Sequence, residues 1–388
     1  MNRLRLFLIP VVAIAFALSA HAARQKPTRP ASKTELGTYR GYVVIDAATG
    51  NTLAEENADV VNPPASMTKL MTFAVLSDCL QNGGLALDTP VQIENEDAHM
   101  GGTQVYLDPR EVFPVEELIY AMMIHSANDA AHALARVAGG GSVPAFVQMM
   151  NAKARALGMI HSTFRTPHGL TSERQSIDEG DLTTPRDYAI LCRHLVLHTD
   201  ILKYTSVQHR PFGAQRAKGA MQMDNSNKLL GHVAGVDGLK TGYTKNAGYC
   251  LSATAERNGR RVISVIMGCF GPKNNEIDRG RSRDLKTAEL LGIAFAAIPA
   301  STQPTAPAPK PATYAPTPAT KSKALTIKSA STPATTVPTP TPQPVSPVAP
   351  AAQETSLVAP ATSPIAPAAA DADDSPAPSV KFELPKKK

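Results

Sequence analysis

The sequence has no tryptophan, 5% aromatic residues and four cysteines, and each scarcity narrows what the chain can do. No aromatic-interleaved basic patch and no binding motif accompany the formal net charge of +6, so the charge implies modest attraction to acidic surfaces and nucleic acid is not an expected partner. No Cys-x-x-Cys pair or other zinc spacing occurs. His194 and His198 stand one helical turn apart without a nearby third ligand and read as an ordinary helix face, so neither a metal nor another cofactor is expected. The apolar stretch Leu6–Leu18, interrupted by Pro10, falls short of the about 20 residues that cross a bilayer.

What is present divides the chain. Arg3 and Arg5, the apolar stretch and the small residues Ala20-His21-Ala22 read as an export signal over residues 1–22, which places the protein in the periplasm or cell envelope. A leader follows over 23–36, then a folded region over 37–298. Export raises the question of disulfides among Cys79, Cys192, Cys250 and Cys269, and four cysteines allow three full pairings. Cys79 and Cys192 fall in apolar helical surroundings, which favours free thiols. From Pro299 the composition turns to Pro, Ala, Thr and Ser without apolar periodicity, so 299–388 is expected to be a disordered tail. Its terminal Lys386-Lys387-Lys388 could contact cell wall or an anionic membrane, although a solvated tail explains them equally well.

Within 37–298, Tyr39–Ala47 and Thr52–Glu55 flank a Gly-containing turn and predict a hairpin. Strand-like Val91–Ile93 precedes helices over Val115–Val137, broken at Ser126-Ala127-Asn128. A helix over Val143–Leu157 would bury Phe146, Met149, Met150 and Leu157, and Thr184-Pro185 starts another to about Leu197. Tyr249–Ala255 and Val262–Met267 are joined through Asn258-Gly259, a strong type I′ hairpin signal, and Asp278–Ala296 reads as a closing helix. Strands, a long helical insertion and strands again indicate an α+β fold, with two packed subdomains and a site between them.

The chemistry centres on Pro64-Ala65-Ser66-Met67-Thr68-Lys69-Leu70-Met71-Thr72. Helical spacing puts Ser66 and Lys69 on one face, so an unprotonated lysine can act as base to a serine hydroxyl that is otherwise a weak nucleophile. Taken alone, Ser-x-x-Lys is more often a helix cap followed by surface residues. Downstream, Ser126-Ala127-Asn128 and Lys240-Thr241-Gly242 complete the ordered set Ser-x-x-Lys, Ser-x-Asn, Lys-Thr-Gly. With the contexts Asn62–Thr72, Met149–Lys153, Leu157–Met159 and Pro167-His168-Gly169-Leu170, residues 37–298 resemble the serine DD-carboxypeptidases among the low-molecular-mass penicillin-binding proteins.

That resemblance implies the β-lactamase/DD-peptidase fold, an antiparallel sheet flanked by helices with a helical subdomain. It implies removal of the terminal D-alanine from peptidoglycan pentapeptide stems through a Ser66 acyl-enzyme, in peptidoglycan maturation and cell-shape maintenance, with β-lactams as covalent inhibitors. Lys69 would be the base, Ser126 would relay a proton to the leaving amine, and Asn128 would hold a substrate amide and Lys69. Lys240 and Thr241 would bind the terminal carboxylate, Gly242 would let the substrate lie along the strand, and the Ser66 and Tyr243 backbone N–H groups would form the oxyanion hole. Some relatives place an arginine where this chain has Gly268-Cys269-Phe270-Gly271; Arg279, Arg281 or Arg283 could substitute. Neither Glu173 nor Glu179 stands in the Glu-x-x-Leu-Asn setting of class A β-lactamases, so fast antibiotic hydrolysis is not implied. A DD-endopeptidase of the same fold and a non-catalytic wall-binding protein are the competing readings.

Overall fold

The computed structural model describes residues 38–170, 176–272 and 278–298; the expected export signal, leader and tail lie outside the described residues. The chain begins with the expected hairpin, β1 (Gly41–Asp46) and β2 (Thr52–Glu56), and passes through a 3-10 turn, Ala65–Thr68, into α1 (Lys69–Gln81). β3 (Pro90–Gln92), α2 (Asn95–Ala98) and β4 (Val112–Pro114) precede α3 (Val115–Tyr120), a π-turn at Ala121–His125, and α4 (Asn128–Ala138). Next come α5 (Val143–Leu157), α6 (Pro185–His198), α7 (Ile201–Thr205) and a hairpin of β5 (His209–Phe212) and β6 (Met221–Asp224). The chain closes with β7 (Val236–Thr244), β8 (Gly248–Arg257), β9 (Arg260–Cys269) and α8 (Arg281–Ala297).

β1, β2, β7, β8 and β9 form one antiparallel sheet in the order β2-β1-β9-β8-β7. The first and last parts of the described chain are therefore zipped together, with Gly41 opposite Met267 and Asp46 opposite Val262. Asn258 and Gly259 both have positive φ, 50° and 70°, as the two central residues of a type I′ turn require. Alternation along β1 sends Val44 to one face, under Leu290, Leu291 and Ala294 of α8, and Val43 and Ile45 to the other. Both faces are covered, which explains why consecutive residues of β8 and β9 are buried, Ser252, Thr254 and Ser264 included.

The larger of two buried clusters runs from one face of the sheet into the helices, and the smaller lies between the other face and α8. Val43, Ile45, Ile263 and Val265 of the sheet belong to the same buried cluster as Leu70, Phe73 and Leu76 of α1, Leu134 of α4 and Phe146 of α5. α1 is the pivot of this cluster: every residue from Lys69 to Ser77 is buried, a helix packed on all sides rather than one with an apolar stripe. α5 shows the more usual stripe, burying Phe146 and Met150, whereas Met149, expected in the core, is 36% exposed. Thr184 caps α6 by accepting the Asp187 N–H at 3.1 Å, with Pro185 in the first helical position. β5, β6 and α7 carry no strong turn or periodicity signal and were not among the expected elements. Among the described residues no helix is long and apolar enough to cross a membrane. All four cysteines are free thiols, three buried and Cys79 partly so.

Candidate active site

Ser66 lies in the 3-10 turn, not within an α-helix; α1 starts at Lys69, so the seryl oxygen sits just ahead of the positive end of that helix. Ala65, immediately before it, has φ of 49°, a strained value for a residue with a Cβ. Neighbours hold this turn from several sides. The Tyr188 hydroxyl donates to Met67 O. Gly242 of β7 and Gly169 pass so close that an added Cβ would meet Pro64 O at 2.5 Å and Ala65 O at 1.9 Å. Both positions need glycine because of the protein's own backbone. For Gly242 this adds a reason to the expected one, letting the substrate lie along the strand.

Lys69 is fully buried, and its Nζ has three oxygens within reach: Asn128 Oδ1 at 2.7 Å, His168 O at 3.0 Å and Ser66 Oγ at 3.1 Å. Burial, and then the nearby charge of Lys240, push its pKa well below the usual lysine range, and the carboxylates of Asp129 and Asp181 oppose them. A neutral amine has two N–H bonds and one lone pair. The two carbonyl oxygens can only accept, so they take both N–H groups and leave the lone pair facing the Ser66 hydroxyl.

Ser126 ends the π-turn in left-handed conformation, φ 68°, and its buried Oγ has no hydrogen-bond partner among the described residues. Asn128 opens α4, with Nδ2 donating to Gly101 O at 2.7 Å while Oδ1 serves Lys69. Lys240, Thr241, Gly242 and Tyr243 lie on β7, the edge strand beside the Ser66 turn, so alternate backbone groups of β7 face away from the sheet. Lys240 is buried and donates to Thr241 O at 3.2 Å; burial, aided by the Arg283 charge, lowers its pKa to about 7. Tyr243 is 40% exposed and stacks on Tyr249, ring centroids 4.2 Å apart. Of the three arginines that could have assisted, Arg279 and Arg281 are exposed, whereas Arg283 is buried, paired with Asp284 at 2.7 Å.

Three contributors went unassigned from sequence. His168 supplies its main-chain carbonyl, invisible in a side-chain motif, and its ring is kept neutral by burial, pKa about 3. Asp181 accepts from the Thr68 hydroxyl at 2.7 Å and the Arg165 and Thr166 N–H groups at 2.6 and 2.9 Å, tying the His168 loop to the Ser66 turn. Asp129 accepts from the Val105 and Leu107 N–H groups, fixing a loop against α4. Pro167-His168-Gly169-Leu170 was the only available signal for any of them. Among the described residues no group of histidines, cysteines and carboxylates is placed to hold a metal ion.

A serine hydroxyl 3.1 Å from the amine of a buried lysine, beside an edge strand carrying a second buried lysine, is an arrangement suited to serine acyl transfer. The D-alanyl-D-alanine carboxypeptidase family model matches residues 29–271, and the chain belongs to this family of serine hydrolases. It is 33% identical over 289 residues to the D-alanyl-D-alanine carboxypeptidase DacF of Bacillus subtilis, covering 74% of this chain and 69% of the relative. It is 33% identical over 297 residues to DacA of Escherichia coli, covering 75% and 70%. The fold matches penicillin-binding protein D2 of Listeria monocytogenes in its ampicillin-bound form, with TM-score 0.56, 32% identity, and coverage of 66% of this chain and 97% of that one. The chain is a serine DD-carboxypeptidase with the penicillin-binding protein fold.

Proposed function

We propose that Ser66 is the nucleophile of this carboxypeptidase and Lys69 its base. The observation that carries the reading is the arrangement around Lys69 Nζ, with two obligate acceptors and the Ser66 hydroxyl as its third neighbour. Ser66 Oγ attacks the carbonyl carbon of the penultimate D-alanine of a peptidoglycan stem as its proton passes to Lys69. The tetrahedral oxyanion is held by the Ser66 and Tyr243 N–H groups, donors of a kind each contributing about 3 kcal/mol to a transition state. The C–N bond breaks, the leaving amine takes a proton through Ser126, and D-alanine departs. Water then hydrolyses the ester and regenerates Ser66. Asn128 holds the substrate amide, and Lys240 with Thr241 holds the terminal carboxylate, Gly242 keeping β7 close to the Ser66 turn.

A β-lactam presents a strained amide to the same Ser66, and the ampicillin-bound form of the Listeria protein supports this extension. Residues 1–22 direct export to the periplasm or envelope, 37–298 carry out catalysis, and 299–388 form a tail whose basic end contacts wall or anionic lipid. Mass spectrometry tests the central assignment. Penicillin should add its full mass to the wild-type protein at Ser66 and persist there, while folded Ser66→Ala shows neither adduct nor release of D-alanine from a pentapeptide. Turnover by folded Ser66→Ala would remove Ser66 from the mechanism.

A further inference from the structure

The loop between α2 and β4 forms the wall of the site beside Asn128. Gly101 O accepts from Asn128 Nδ2 and Thr103 O from the Asn128 backbone N–H, both at 2.7 Å. Two residues on, the Asp129 carboxylate accepts from the Val105 and Leu107 N–H groups at 3.1 Å each. Val105 and Leu107 are buried, but Tyr106 between them is 55% exposed, and its φ is 54°. A bulky residue rarely adopts this left-handed backbone. The surroundings enforce it: Tyr106 O accepts from Arg216 Nη2 at 2.6 Å and Lys218 Nζ at 2.5 Å, and Arg216 is itself anchored on Glu111 at 2.7 Å. The ring contributes little to the core, while the backbone under it is strained and clamped. Such strain is typical of places where a side chain is held ready for a ligand.

Direction follows from the proposed function, on which this inference rests. With the terminal carboxylate at Lys240 and Thr241 and the scissile carbonyl at Ser66, the rest of the stem peptide must leave the site on the side away from Lys240. An extended peptide advances about 3.3 Å per residue, so the residue before the two D-alanines lies only one or two steps past Ser66, alongside Asn128 and its loop. We propose that Tyr106 is a specificity-determining residue, its ring packing against the side chain of the stem residue that precedes D-alanyl-D-alanine. The clamped backbone fixes the point from which the ring projects, so substrate binding need not order the loop beneath it.

The test compares a pentapeptide, which carries that residue, with N-acetyl-D-alanyl-D-alanine, which lacks it. In Tyr106→Gly the ratio of kcat/KM for the pentapeptide to that for the acetylated dipeptide should fall about fivefold, the size of one lost aromatic–aliphatic contact. Glycine accepts the left-handed backbone, so the loop is retained and the thermal midpoint should not drop. Tyr106→Phe keeps the ring and should keep the ratio. An unchanged ratio in Tyr106→Gly, whether through equal loss on both substrates or no loss on either, would overturn the proposal. Failure of the underlying reading looks different: folded Ser66→Ala would turn over both peptides.

Discussion

The two lysines of this site are both buried, and both have pKa values lowered chiefly by burial, yet the oxygens around them differ. Lys69 Nζ is surrounded by three oxygens, two of which can only accept. Lys240 Nζ is held by the carbonyl of its own neighbour, Thr241, leaving it donors to spare. The first environment suits a neutral amine whose lone pair points at a hydroxyl, and the second suits an ammonium that completes itself with an incoming anion. Burial alone does not distinguish a base from an anion holder. The count and type of oxygens around the nitrogen does.

The sharpest break in this comparison is Lys69→Ala, which should lower the second-order rate of acylation by penicillin about 10²- to 10⁴-fold, the usual range for a general base. Stopped-flow or quenched mass measurements would read it. A loss under tenfold would mean that another group takes the Ser66 proton.

Next in size is Lys240→Ala, which should lower kcat/KM for a peptide ending in free D-alanine about 10- to 100-fold, as for a lost hydrogen bond to a charged group. The same peptide amidated at its C-terminus should lose far less. Equal losses on the two would show that Lys240 acts on something other than the carboxylate.

The smallest effect lies in the pH profile. Lys69 must be neutral to accept a proton, so kcat/KM should fall as pH drops below its lowered pKa. Lys240 must be charged to hold a carboxylate, so kcat/KM of the free enzyme should also fall as pH rises through about 7. Removing the Arg283 charge raises the Lys240 pKa, and the double variant Arg283→Gln/Asp284→Asn avoids leaving a buried carboxylate unpaired. Its alkaline limb should move to higher pH while the acid limb stays nearly in place. An unmoved alkaline limb would detach it from Lys240.

Several features were legible because their cause is local. Asn258-Gly259 makes its turn through backbone freedom at two adjacent residues, and Thr184-Pro185 starts its helix through a missing N–H and a nearby side-chain acceptor. Ser66 and Lys69 meet because only two residues of a tight turn lie between them. Met149 was misplaced because a pattern of apolar residues does not say which side of the stripe's edge faces the core. The continuity of the larger core from sheet to helices is not legible in the sequence because it depends on α1 packing against helices and sheet at once.

By itself, then, the sequence determined the family, through the ordered Ser-x-x-Lys, Ser-x-Asn and Lys-Thr-Gly set, and the elements on which most of those residues stand, since residue type, spacing and turn preference act over a few positions. Tertiary structure alone decided what surrounds them. The His168 carbonyl reaches Lys69 from 99 positions away, and Asp181 reaches Thr68 from 113. Every residue has a carbonyl, and most carboxylates are solvated, so nothing in either residue type announces these contacts. They exist because the core closes around α1 and excludes water. That exclusion is also what lowers the Lys69 pKa and makes each remaining oxygen partner consequential.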